Sequence, residues 1–193
     1  MVTGIDIHDK RLSVARRYYQ GTRTKYHFMD AARLEFPDAS FDKAMSLCVI
    51  EHLENDELVM QNVARALKPG GLFVFSADSL SIPGITPAER ARHQRKYAVN
   101  TFYTVEIVRD KLARAGFDIV EARYILSTPR DLRLMRLSWK LDRLPGFLGM
   151  FRLAGYAALG TARKVASMLP GNGAGSSGGG LTLLVKARKR PTA

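Results

Sequence analysis

Apolar positions along this chain switch repeatedly between strand-like runs and a helical repeat, and the alternation begins at the second residue. Val2-Thr3-Gly4-Ile5-Asp6-Ile7 reads as a short buried strand that carries a carboxylate near its end. Residues 10–19 place Leu12, Val14, Ala15, Tyr18 and Tyr19 on an amphipathic helix that Gly21 ends. Residues 25–29 predict a second strand, leading to Asp30, and residues 41–49 are apolar enough for a strand buried on both faces. Residues 55–67 follow as a helix with Leu58, Val59, Val63 and Leu67 on one side. Lys68-Pro69-Gly70-Gly71 is then a turn into a strand at 72–76.

The second half is less regular. Residues 83–100 are polar and basic, with one helix expected from Pro87, since a proline suits a first helical turn. Residues 104–115 predict a helix that Thr104 caps and Gly116 stops, and 117–126 a strand. Residues 130–169 are mainly helical with a break at Pro145-Gly146, 170–180 form a glycine/serine linker, 181–187 a last strand and 188–193 a basic tail. This alternation predicts an α/β fold with an open, mostly parallel sheet covered on both faces. The reading is one domain over 1–193: a core at 2–126, a helical insertion at 127–169, and the last strand beyond the linker. Ligands of such sheets bind beyond the carboxyl ends of the strands, which directs attention to Asp6, Asp30 and the segment after Val49.

Composition narrows the classes. Cys48 is the one cysteine in 193 residues, so an intramolecular disulfide and a multi-cysteine zinc site are excluded, and no metal site is expected. No secretory layout and no continuous apolar run of about 18 residues is present, which predicts a cytoplasmic protein. The net charge of +12 is concentrated late: from Arg123 onward thirteen Lys/Arg face only Asp131 and Asp142. Such a surface attracts polyanions, anionic lipid or acidic substrates, and equally fits a solvated face without a partner.

Two carboxylates carry candidate chemistry. At a strand tip, Asp6 can accept from the two hydroxyls of a ribose diol, or it can simply make a turn. Asp30 can accept from an exocyclic amine, with the small Ala31 leaving room for a flat ring, or it too can be a turn residue.

Five segments in order carry a family resemblance: Gly4-Ile5-Asp6-Ile7, Asp30, Phe36-Pro37-Asp38-Ala39-Ser40-Phe41-Asp42, Glu51-His52-Leu53 and Leu67-Lys68-Pro69-Gly70-Gly71. Together they resemble a class I S-adenosylmethionine-dependent methyltransferase of the small-molecule branch, over residues 2–126 and the last strand. The resemblance implies a Rossmann-like sheet and S-adenosylmethionine as cofactor. Asp6 would hold the ribose, Ile7 would pack on the adenine, Asp30 would bind its amine, and Ala31 would lie beside the ring. Cys48 and Val49 would line the methionine portion. His52 would face the active site as a base or polar anchor, or else hydrogen-bond the backbone at a helix start.

The sequence also departs from that family. Its first strand, glycine-rich loop and first helix should precede residue 2 by roughly 40 to 50 residues. The expectation is therefore an N-terminally truncated methyltransferase sheet whose donor cradle is missing and whose neighbouring strands are left unpaired. The function expected is methyl transfer to O, N or C of a small-molecule acceptor, recognised by residues 83–103 and 130–169. A basic cluster of Arg90, Arg92, His93, Arg95 and Lys96 precedes Tyr97, Phe102 and Tyr103 there, and fits an acidic or aromatic acceptor or a solvated lid. The apolar and basic pattern at 145–169 suggests peripheral lipid contact as an alternative to an ordinary core helix. No specific nucleic-acid partner is expected. The alternative function is a non-catalytic, methyltransferase-like binding module acting through its basic surface.

Overall fold

Local sequence signals fix most element boundaries. Thr86 and Thr128 each accept from the backbone N–H three residues on, while the acidic side chain there, Glu89 or Asp131, accepts from the threonine's own N–H. A proline follows each threonine at the first helical position. Thr104 caps its helix without such reciprocity, and Gly116, at φ 86°, stops it in the left-handed region.

The computed structural model describes residues 1–142 and 178–191. Its elements run β1 (Val2–Asp6), α1 (Asp9–Tyr19), β2 (Thr24–Phe28), β3 (Phe41–Leu47), α2 (Asp56–Ala66), β4 (Leu67–Asp78), α3 (Pro87–Tyr97), α4 (Val105–Arg114), β5 (Phe117–Ile125), α5 (Pro129–Leu141) and β6 (Thr182–Lys189). Short helical turns lie at Ala31–Arg33 and Ile50–His52.

The strands form two sheets. β1 and β2 pair in parallel, with Asp6 opposite Phe28. A second sheet has the order β3-β4-β6-β5: β3 runs parallel to β4, and β6 runs antiparallel to both β4 and β5. Among the described residues no ladder joins β1 to β3, so each has one hydrogen-bonded neighbour. Phe36 spans the gap at one point, its ring edge-on to His27 of β2 and to Phe41 of β3.

The main core lies on the larger sheet. Phe73, Phe75 and Ala77 of β4 and Leu183, Val185 and Ala187 of β6 pack with Met60 and Ala64 of α2 and Val108 and Leu112 of α4. A buried polar contact ties those helices: the Asp56 carboxylate of α2 accepts from the Tyr103 hydroxyl and from the Lys111 ammonium of α4. A second cluster, Leu80, Ile82, Leu132, Met135, Trp139 and Leu181, seats α5.

Several expectations need correction. β3 is not buried on both faces: Met45 is 73% and Leu47 56% exposed on one of them. β1 is only half-buried, and on α1 Leu12 is buried while Val14, Tyr18 and Tyr19 face solvent. The turn at 68–71 lies inside β4 as a register shift between the pairs Phe41–Leu67 and Lys43–Leu72. The larger sheet is mixed rather than mostly parallel. Of the helical stretch 130–169 the described part is α5. The break at Pro145-Gly146, the lipid-contact segment 145–169 and most of the linker lie outside the described residues. Among the described residues no helix is long and apolar enough to cross a membrane.

Candidate functional site

Asp6 and Asp30 come together at one end of the smaller sheet. β1 and β2 are adjacent and parallel, Asp6 ends the first and Asp30 follows the second. Each spends one oxygen on its own turn: Asp6 Oδ1 accepts from the His8 N–H at 2.8 Å, and Asp30 Oδ1 from the Ala32 N–H at 2.8 Å. Arg11 stands 3.8 Å from the second oxygen of Asp6, and Asp30 Oδ2 has no hydrogen-bond partner among the described residues. Both turns therefore leave an acceptor for an outside donor. Ile7 is exposed beside Asp6, so an apolar surface adjoins the carboxylate. Ala31 opens the turn that Asp30 caps, and Asn62 of α2 donates to the Ala32 carbonyl at 2.8 Å, which anchors that turn.

A second group gathers at the carboxyl ends of β3 and β4. Cys48, just past β3, adopts φ 49°, a left-handed conformation uncommon for a residue with a Cβ. Its N–H donates to the Ser76 carbonyl at 3.0 Å, and its sulfur lies 3.5 Å from the Ser76 hydroxyl. Burial pushes the Cys48 thiol up, and the charges of Glu51 and Asp78 add to the shift. Val49 beside it is exposed.

Glu51 is fully buried in the turn Ile50–His52. Its Oε1 accepts from the Asp78 N–H at 3.2 Å, while Oε2 is buried without a partner among the described residues. Burial first, then repulsion from Asp78, raises its carboxyl above the usual carboxylate range. Its carbonyl accepts from the N–H groups of Asn100 and Thr101, so the same residue fixes the loop after α3. His52 takes up a backbone contact: Nδ1 lies 3.2 Å from the Ala98 carbonyl, and a carbonyl only accepts, so Nδ1 carries the hydrogen.

Over this end lies a lid of α3 and α5. Arg136 of α5 grips Glu89 of α3 with two N–H donors, at 2.6 and 2.9 Å, and also donates to the Gly84 carbonyl. Lys96 pairs with Asp142, and Arg92 donates to the Trp139 carbonyl. Arg136 holds the Glu89 carboxyl down to about 2. The basic cluster at 90–96 is largely engaged internally: Arg90 lies over Phe102, Arg92 over Trp139 and Lys96 over Tyr97. Tyr103 is buried against Asp56 rather than available to an acceptor.

Sequence reasoning missed Asp78 and Glu51. The strand was expected to stop at 76, so the acid at its true end went unweighed, although the strand-tip rule that selected Asp6 applies to it equally. Glu51 stood in the segment Glu51-His52-Leu53 without a role of its own, because its burial depends on β4 and the loop after α3 closing over it. His93 was read as one cation of a cluster; its Nε2 lies 2.6 Å from Asp78 Oδ2.

Half-sheets with carboxylates at their strand ends define a Rossmann-like α/β fold, and comparison places it. Residues 1–75 match the family described as a methyltransferase domain. Over those residues the chain is similar to that family, and its fold is like that of S-adenosylmethionine-dependent methyltransferases of known structure. It is 28% identical over 124 residues to the O-methyltransferase resE of Aspergillus sclerotiorum, covering 62% of this chain and 47% of that protein. It is 36% identical over 107 residues to the 27-O-demethylrifamycin SV methyltransferase of Amycolatopsis mediterranei, covering 51% and 39%. The structure of an S-adenosylmethionine-dependent methyltransferase from Mesorhizobium loti superposes with a TM-score of 0.62 at 23% identity, over 97% of this chain and 80% of that one. The chain spans about half the length of the curated relatives it matches.

Proposed function

We propose that this chain forms part of an S-adenosylmethionine-dependent methyltransferase acting on a hydroxyl or amine of a small molecule. The observation that carries the reading is the pair Asp6 and Asp30 at neighbouring strand ends, each with an oxygen left over, inside the segment that matches the methyltransferase domain. In this reading Asp6 takes the ribose hydroxyls and Asp30 the adenine amine, with Ile7 and Ala31 against the ring. Cys48 and Val49 border the methionine portion, and His52, with Nδ1 committed to Ala98, keeps Nε2 as a polar anchor. The bound donor supplies a methyl already activated on a sulfonium. The protein's task is then placement of the nucleophile in line with it, modest proton transfer, and exclusion of water by the α3–α5 lid.

The two open sheet edges extend the proposal. A further parallel strand between β1 and β3 would pair both edges, a helix following it could cover Met45 and Leu47 on the face, and a glycine turn between them would cradle the aminocarboxyl-propyl group. Relatives named as O-methyltransferases, and a phosphoethanolamine N-methyltransferase 37% identical over 73 residues, support a small-molecule acceptor methylated on oxygen or nitrogen.

Equilibrium titration with S-adenosylmethionine tests this. Residues 1–193 alone should bind weakly, and the same chain with a strand, glycine turn and helix fused ahead of Met1 should bind in the micromolar range. Asp6→Ala in the fused form should cost at least about 10-fold, the scale of a lost charge-assisted hydrogen bond. Unchanged affinity in both Asp6→Ala and Asp30→Ala would sink the assignment. Micromolar binding by residues 1–193 alone would remove the need for the added strand.

A further inference from the structure

We infer that His93, oriented by Asp78, takes the proton from the methyl acceptor; this rests on the methyl-transfer reading and names the group that serves it. Asp78 ends β4, beside Glu51 and near Cys48, at the end of the sheet where the donor's methyl is expected. His93 reaches it from the middle of α3, with Nε2 2.6 Å from Oδ2, and the two side chains are only 12% and 19% exposed. A carboxylate accepts, so Nε2 carries a hydrogen, and in the neutral ring Nδ1 keeps its lone pair. That Nδ1 is buried and has no hydrogen-bond partner among the described residues. Buried acceptors without partners are rare in folded proteins, and this one, on the far side of the ring from Asp78, calls for a donor that arrives with a ligand.

The surroundings suit that role. Rings of Tyr97, Phe102 and Trp139 lie 4.5, 6.1 and 6.0 Å from the imidazole, fixing its plane and excluding water. A histidine backed by a carboxylate is held in one tautomer, and its cation is stabilised as it forms. His52 has a backbone carbonyl in that place and no carboxylate. In the step, the acceptor oxygen or nitrogen bonds to the methyl carbon while its proton moves to His93 Nδ1. The electron pair of the breaking carbon–sulfur bond stays on sulfur, and the imidazolium, paired with Asp78, later loses the proton to solvent. His93 is then a catalytic residue and Asp78 a positioning residue.

The competing role is a latch that merely ties α3 to β4, and the tautomer separates the two. Nitrogen-15 NMR of the histidines in the full chain, at about pH 8 where an ordinary imidazole is neutral, should show His93 as the Nε2–H form. Added catechol should move the His93 Nδ1 resonance saturably, and in Asp78→Asn, whose amide can donate to Nε2 and reverse the tautomer, it should not. An Nδ1–H form in the unmodified chain, or catechol leaving Nδ1 untouched, overturns the inference. No methyl donor is present in that measurement, so its outcome is independent of the methyl-transfer reading. In whichever form transfers methyl, His93→Gln retains a donor for Asp78 but no basic nitrogen. It should lower kcat by at least about 100-fold with acceptor KM and thermal midpoint little changed. Retained kcat would leave only the latch.

Discussion

Glu51 shows how one side chain can be costly and still specified. Its carboxyl is buried, one oxygen bonds the end of β4 and the other has no partner among the described residues, so desolvation favours the protonated form. Because its folded pKa is raised, its stabilising contribution is fully present below the unfolded value and is lost as pH rises through the folded one. Glu51→Gln keeps the shape and removes the titration. In thermal melts the variant should gain on the parent as pH rises above about 4.3, where a free glutamate ionises. Parallel pH profiles for the two proteins would show that the carboxyl is solvated after all. None of this was legible in the chain, where Glu51-His52-Leu53 reads as a motif and draws attention to the histidine. Asp6 and Asp30 were legible because strand-tip carboxylates follow from local pattern. Asp78 obeys the same rule and was lost only through a strand end misjudged by two residues.

Among the elements, α3 and α5 behave as a unit. Both begin with a threonine, a proline and, two residues later, an acid, and these boxes could be read directly from Thr86-Pro87-Ala88-Glu89 and Thr128-Pro129-Arg130-Asp131. What could not be read is that Arg136 crosses between them to Glu89, 47 positions away. That ion pair holds the Glu89 carboxyl at about 2, well below its unfolded value, so its stabilisation is present above the unfolded pKa and fails as pH falls toward about 2. Trp139 is the single tryptophan and lies buried in the lid cluster, which makes it a reporter. Its emission should shift to the red as acid opens the lid. In Arg136→Met the shift should begin at higher pH, because the Glu89 pKa is then released. Thr86→Ala should cost about 0.5–2 kcal/mol through the lost cap. A red shift at the same pH in Arg136→Met and the parent would mean that the pair does not hold the helices together.

At the scale of the molecule, the question is whether two sheets fold as one. β4 and β6 each have strands on both sides and bury residues along most of their length, whereas β1 and β2 have one neighbour apiece and only intermediate burial. Local periodicity announced the six strands of the described residues, but it carries no record of which edges and faces meet. Hence β3 was expected to be covered on both faces and instead leaves Met45 and Leu47 in water. Few buried contacts and single-sided ladders mark a unit that opens below the global unfolding free energy. Hydrogen–deuterium exchange should therefore release peptides covering residues 2–28 well before those covering 72–78 and 182–189. A strand supplied between β1 and β3 should slow exchange on both flanking strands together, since it would pair the open edge of each. If the smaller sheet were already protected as strongly as the larger one, some other contact would be holding it. The open edges would then be finished surfaces rather than a seat for a further strand, and the donor-binding half of the proposed enzyme would have to be complete as it stands.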